Sequence, residues 1–333
     1  MLDLIKNAYS GYAGYLWKEL TFQISPWWHN YFFWLMLLSA FFFVLEILRP
    51  WRTEQPRFRK DFWLDFFYMF FNFFIFSLII FNAASTVVVT AFNDAIIGIS
   101  GFDLQASNPM QQIPFWAILV IGFIISDFIQ WNIHRLLHYV PWLWNFHKVH
   151  HSIEQMGFAG HLRYHWMENV VYKTIQYIPL ALLGIGLYDF FIIHIFSLAV
   201  GHYNHSNIHI REWIKGLVIG GLIGAFVGWT ILALAWPLAL LAVSIGAIIG
   251  YLAHPIIKYI FNSPEMHLYH HAYDLPEGHR YGINFGLTLS VWDYIFGSSH
   301  VPEEGGQIKL GFPGVEDFPD DFVGQQTYGV THK

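Results

Sequence analysis

The 333-residue chain contains no cysteine. That absence removes disulfides, thiolate zinc sites, cysteine-ligated iron–sulfur clusters and thiol nucleophiles together. Charge is scarce too: 12% of residues are charged, against about a quarter in soluble domains. The net charge of -6 leaves no basic footprint, so nucleic acid is not an expected partner. The chain lacks a G-x-S-x-G elbow, a P-loop, a dinucleotide fingerprint and a helical H-E-x-x-H. Its start shows no basic region leading into an apolar core and a small-residue cleavage site, so no signal peptide is expected.

What the chain has is apolar length. It is 55% hydrophobic and 20% aromatic, and several stretches reach the ~20 residues a helix needs to cross a hydrocarbon core. The expected fold is all-α: a polytopic helical membrane protein with a cytoplasmic, histidine-rich metal-binding cap. Residues 1–30, with Trp17, Trp27 and Trp28, read as an interfacial segment. A first span, Tyr31 to Leu48, ends in a loop carrying Arg49, Arg52, Arg57, Arg59 and Lys60. The positive-inside rule places that loop in the cytoplasm. Phe62 to Val89 returns, 93–112 is the expected non-cytoplasmic loop, and Pro114 to Ile133 crosses back to deliver His134.

Two further apolar segments make round trips. Asn169 to Val200 turns near Gly184, Gly186 and Asp189, and Leu217 to Tyr251 bends at Trp236-Pro237. These readings divide the chain into an N-terminal segment with two spans (1–113), a catalytic domain (114–300) with an extra apolar hairpin at 217–251, and a polar tail (301–333). Histidine clusters and C-terminus are expected on the cytoplasmic side, at the inner membrane of a bacterium or the ER of a eukaryote.

Histidine is the other abundance, and 15 of the 19 lie between His134 and His271. His134-x-x-x-His138 sets two imidazoles one helical turn apart on one face. His147-x-x-His150-His151 follows, and His267-x-x-His270-His271 repeats it 120 residues later. Positions i and i+3 share a helix face while the adjacent residue points about 100° away, so each triplet can serve two ions. Eight imidazoles exceed the four of a structural zinc and the three usual in catalytic zinc. Two ions of higher coordination number fit better, and iron doing oxygen chemistry better than zinc doing hydrolysis. Between the triplets, His205 is the best ninth ligand and His202 a weaker tenth. His209 is balanced between ligation and a headgroup or supporting role. His161 and His165 read as hydrogen-bonded support and His194 as a packing residue. His29, His300 and His332 look unconnected.

On these motifs the chain resembles the fatty acid hydroxylase/sterol desaturase superfamily of integral-membrane di-iron oxygenases. The resemblance extends to Arg163-Tyr-His165 with Glu168, His205-Ser-Asn207, Asn262-Ser-Pro264-Glu-Met-His267, Asn284-Phe-Gly286 and Trp292-Asp293-Tyr-Ile-Phe296-Gly297. It covers about residues 115–300. It implies a cytoplasmic cage of two iron ions that activates O2, as co-substrate, against a C–H bond of a membrane lipid, fatty acyl, sterol-like or ether. Glu168 and Asp293 are the candidate catalytic carboxylates, Glu168 in support of the ligands and Asp293 as an anchor of the cap. With no haem or flavin domain in view, separate electron-donor proteins are expected. A desaturase on the same site, a silent metal-binding scaffold and a zinc hydrolase are the alternatives.

The departure from the family pattern is the Leu217–Tyr251 round trip. Gly216, Gly220 and Gly224 give it a small-x-x-x-small face. One reading packs that face against the catalytic helices or a second subunit, making a homo-oligomer contact. The other makes the hairpin a plain anchor.

Overall fold

The computed structural model describes residues 2–83, 86–103, 106, 112–301 and 307–332. Helices account for the described architecture, and among the described residues the only β pairing is three isolated bridges. Helix α1 (Leu2–Leu20) ends at buried Glu19, whose carboxylate accepts Tyr15 Oη (2.8 Å) and the Phe32 amide (2.9 Å). Those bonds dock it onto α2 (Tyr31–Leu48), capped by Asn30, which accepts from the Phe33 amide at 2.7 Å. Helix α3 (Phe62–Ala83) returns, and the aromatic residues of α2 and α3 pack together around Tyr31, Leu35, Met69 and Phe73.

The stretch expected as a loop after this span is instead partly helical. Helix α4 covers Thr86–Ser100 and ends at Gly101, whose φ of +70° takes the chain out of the helix. Its polar Asn93, which suggested a loop, hydrogen-bonds Asp103 Oδ1 at 2.9 Å. Residues 104–105 and 107–111 of that expected loop lie outside the described residues.

Helix α5 (Phe115–Tyr139) leads into α6 (Pro141–His151), with Pro141 in the first turn, where its missing N–H is not needed. A 3₁₀ turn (Phe158–Leu162) precedes α7 (Trp166–Leu182) and α8 (Leu187–His205). The reversal between α7 and α8 falls where glycine and aspartate suggested it. Gly184 has φ +84°, and Asp189 accepts the Gly186 amide at 3.0 Å.

Helix α9 (Glu212–Ala225) runs through a widened turn (Phe226–Ile231) to a reversal with Ala233 at φ +48°. Helix α10 (Trp236–Ile257) starts there, so Trp236-Pro237 opens it just past the bend. The short helices α11 (Pro264–His270) and α12 (Val291–Phe296) and the terminal α13 (Phe322–Thr331) complete the chain. Among the described residues, five helical stretches are long and apolar enough to cross a membrane: 31–48, 62–79, 115–139, 212–231 and 236–257.

Two expectations change. The glycine face of the hairpin packs neither on the catalytic helices nor outward; α9 and α10 close on each other through it. A Cβ built on Gly220 would stand 2.1 Å from Gly246 O, and one on Gly250 2.1 Å from Gly216 O. Glycine on both helices lets the backbones touch, a fit the two neighbouring segments satisfy locally. The far faces carry exposed Leu222, Trp229, Leu238, Ile249 and Leu252, a surface suited to lipid.

The C-terminal residues read as a polar tail also dock. Phe322 packs on Phe67, Tyr68 and Phe71, Tyr68 Oη donates to Gln325 Oε1 (2.9 Å), and Gln326 Oε1 accepts the Trp166 amide (2.8 Å). Aromatic and amide side chains scattered in a polar stretch are enough to bury one helix face.

Candidate metal centre

Helix periodicity sets the local geometry. On α6, His147 and His151 are four residues apart, offset by about 40°, while His150 lies about 60° to the other side of His147. The i, i+4 pair therefore works together, and the middle histidine serves the other group. The triplet thus serves both groups, as expected, but through its i, i+4 pair rather than the i, i+3 face. His147 and His151 join His134 and His138 of α5 and His270 of α11, with one nitrogen from each within 4.8 Å of the others. His150 joins His205 of α8 and His267 and His271 from the end of α11, within the same limit. The two triplets thus exchange roles: the first sends its pair to one group and its middle residue to the other, and the second does the reverse.

The surroundings aim these rings. A backbone carbonyl can only accept, so a nitrogen bonded to one carries the proton and leaves its ring partner a free lone pair. His134 Nδ1 donates to Phe285 O (2.7 Å), His270 Nδ1 to Ile283 O (2.7 Å), His205 Nδ1 to Gly201 O (2.9 Å) and His150 Nδ1 to Arg163 O (3.3 Å). His147 Nδ1 meets Glu168 Oε2 at 2.7 Å. The Nε2 atoms of His138, His147, His151 and His270 are buried with no hydrogen-bond partner. In the second group His205 Nε2 lies 3.2 Å from His150 Nε2 and 3.0 Å from His267 Nε2. The lone pairs of His150 and His205 face each other, which is repulsive unless a cation lies between them. Nine neutral nitrogens converging in this way fit two metal ions.

Electrostatics agree. Burial, then neighbouring histidines, pushes His147, His150, His151, His267 and His271 well below the usual imidazole range; for His270 burial also dominates. They are neutral at physiological pH, the form that ligates. Burial pushes Glu168 up to about 8, against a lowering bond from the His165 amide. An ion pair alone would shift Glu168 and His147 in the opposite directions, so desolvation wins at both ends. A cation on His147 Nε2 would reverse that balance, leaving Glu168 as the anionic acceptor of Nδ1–H.

Nine of the ten histidines named as ligands from the sequence lie in the two groups. The tenth, His202, lies in neither: its Nε2 is 3.1 Å from Ser39 Oγ and its Nδ1 3.2 Å from His161 Nδ1. On α8 it is three residues from His205, turned about 60° away toward α2. His161 itself fills the space at Gly201, where any Cβ would stand 2.1 Å from its ring. His165 caps α7 and its Nε2 donates to Gln326 O at 2.8 Å. His209 pairs with Glu265 at 3.1 Å.

Asp293, expected as an anchor of the cap, is buried among four donors. It accepts from the Phe285 amide (3.0 Å), the Gly286 amide (2.8 Å), Trp131 Nε1 (3.1 Å) and Ser298 Oγ (2.6 Å). Those bonds hold the loop that presents Ile283 O and Phe285 O to His270 and His134. Asn284, at φ +52°, makes the tight turn there, and its amide ties to Met266 O and His300 O. Sequence reading missed a buried ion cluster: Arg59 pairs with Asp65, and Arg163 with Asp61 (3.0 Å) and Asp65 (3.2 Å). Arg163 carries the carbonyl that His150 uses, so this cluster steadies one ligand. Arg59 lay in the loop taken for a topology signal, which concealed its partner.

The fold and centre define a class: an apolar, multi-helix protein with two buried histidine groups of metal-binding type. The fatty acid hydroxylase family matches residues 119–222 and 210–298, and the chain belongs to that family. It is 27% identical over 196 residues to the ornithine lipid hydroxylase OlsE of Rhizobium tropici, covering 59% of this chain and 46% of that protein. The chain thus spans about half the length of the relative it matches. No solved structure matches it.

Proposed function

We propose that this protein is an O2-dependent di-iron lipid hydroxylase of the membrane. The observation that carries the reading is the convergence of nine neutral histidines, eight of them buried, in two groups with orphaned nitrogens. The family and the lipid hydroxylase relative support the reaction class. Two iron ions held by these groups would supply the oxidising power for a C–H bond.

The chain's own part is orientation and exclusion. The carbonyls of residues 163, 201, 283 and 285 and the Glu168 carboxylate hold Nδ1 protons outward, so each Nε2 stays available. A cavity bordered by His134, His147, His150, His205 and His267 opens from both groups toward Met69, Phe73 and Leu198. Met69, Phe73, Phe76 and Leu198 in its wall would hold a hydrocarbon and fix which carbon is presented. In this reading the centre faces the cytoplasm, residues 114–300 form the catalytic unit, and a separate protein delivers electrons.

Metal analysis of the purified protein, O2 uptake, and comparison of lipids from cells with and without it test the proposal. Two irons per chain and a lipid gaining one oxygen are expected. One zinc with no O2 uptake overturns it, and loss of two hydrogens without added oxygen turns it into a desaturase.

A further inference from the structure

The cavity has a second end that the metal chemistry does not use. Helix α7 leaves the cap at Glu168, and Lys173 follows five residues on, about 7–8 Å further along the axis. Lys173 lines the same cavity as the histidines, together with His194 and Tyr31. Its Nζ lies 3.4 Å from His194 Nδ1 and 5.0 Å from the centre of the Phe76 ring. His194 Nε2 in turn lies 3.3 Å from Tyr31 Oη. Among the described residues, no carboxylate is within ion-pair distance of Lys173.

A lysine inside an apolar bundle normally has a counter-charge, because an unpaired buried ammonium is costly. Here the polar partner is His194, itself bonded to Tyr31, the Phe76 ring lies beside the ammonium, and the open side is the cavity. The wall between Lys173 and the histidines is also polar for this depth. Gln130, Asn72, Asn169 and Tyr172 all line it. Asn169 donates to Asn72, Asn72 to Leu162 O and Tyr172 to Gln130 O, which leaves Gln130 Oε1 as the unpartnered polar atom among them.

We infer that Lys173, backed by His194, binds an anionic group of the lipid substrate, a carboxylate or a phosphate. His194 lies eleven residues before His205 on α8, about 16 Å along the axis, so the oxidised carbon lies well down the lipid from that anion. This deepens the hydroxylase reading and rests on it for the reaction, though not for binding. The ammonium donates to the anion while His194 holds the amine from behind, and the fixed length of cavity between Lys173 and the histidines selects the carbon.

Binding without turnover tests it. The full chain, purified in an uncharged detergent, is titrated with N-palmitoylglycine, with lysophosphatidic acid, and with the uncharged methyl amide of N-palmitoylglycine. At least one anionic probe should bind about tenfold or more tightly than the amide. Preference for the first names a carboxylate, and preference for the second a phosphate. Lys173→Met should abolish the discrimination and Lys173→Arg preserve most of it, with metal content unchanged in both. Equal binding of all three probes to the unaltered protein overturns the inference, even if Lys173→Met fails to fold. So does discrimination that survives in Lys173→Met. The hydroxylase reading fails separately, by absence of iron or of O2 uptake, while the binding preference stands.

Discussion

The α9–α10 hairpin lies in the chain between two segments of the histidine centre, yet the two hold together by opposite means. The centre is non-local: its nine histidines come from α5, α6, α8 and α11, and their orientation depends on carbonyls of residues 163, 201, 283 and 285. The hairpin is local: two neighbouring helices touch backbone to backbone through glycines and meet their surroundings with apolar side chains. The contrast teaches that a segment lying between His205 and His267 can be self-contained if it satisfies its own packing.

The comparison breaks most visibly if ligands are removed. His270→Ala should deplete the first group and His150→Ala the second, each with loss of turnover and of at least one of two irons, measured by elemental analysis. Full iron in both variants would remove the cage from consideration. Glu168→Gln keeps the shape but weakens the acceptor for His147, so metal affinity or turnover should fall about 10–100-fold. Equal affinity in that variant would show that Glu168 does not orient its neighbour.

Gly220→Leu attacks the other region. The new side chain meets the Gly246 backbone, so local stability should fall by about 1–3 kcal/mol, read as faster proteolysis within 212–257. Iron should stay bound, and its loss would mean that the hairpin is structurally coupled to the centre.

Acid should distinguish the regions as well. Buried His147, His150, His151, His267, His270 and His271 have depressed affinity for protons, whereas the unfolded chain takes them up near pH 6.5. The histidines therefore make the metal-free protein lose stability progressively as pH falls below 6.5; Glu168, pushed up to about 8, works the other way as pH rises toward 8, but is one group against six. Thermal unfolding at pH 7.5 and 5.5 checks the sign; a hairpin variant should show the same slope. The smallest effect is expected at His29, which stacks on Tyr188 outside both groups, so His29→Ala should leave iron and turnover unchanged.

Residue types and spacings by themselves determined the helical class, the membrane-length segments, and nine of the histidines that gather in the centre. Periodic apolar length and duplicated triplets are one-dimensional signals, and Gly184 marks a turn that any L-side chain would resist. Tertiary structure decided the rest. Whether His151 pairs with His147 or His150 depends on where α5 and α11 lie around α6. Whether His202 reaches the centre depends on a 60° turn of α8 toward Ser39. The partner of Arg59, the partner of the Gly220 face and the docking of α13 were equally invisible, because each joins residues distant in sequence or choosing among several neighbours. A sequence states which groups must find partners; only the packed chain selects which partner is within reach.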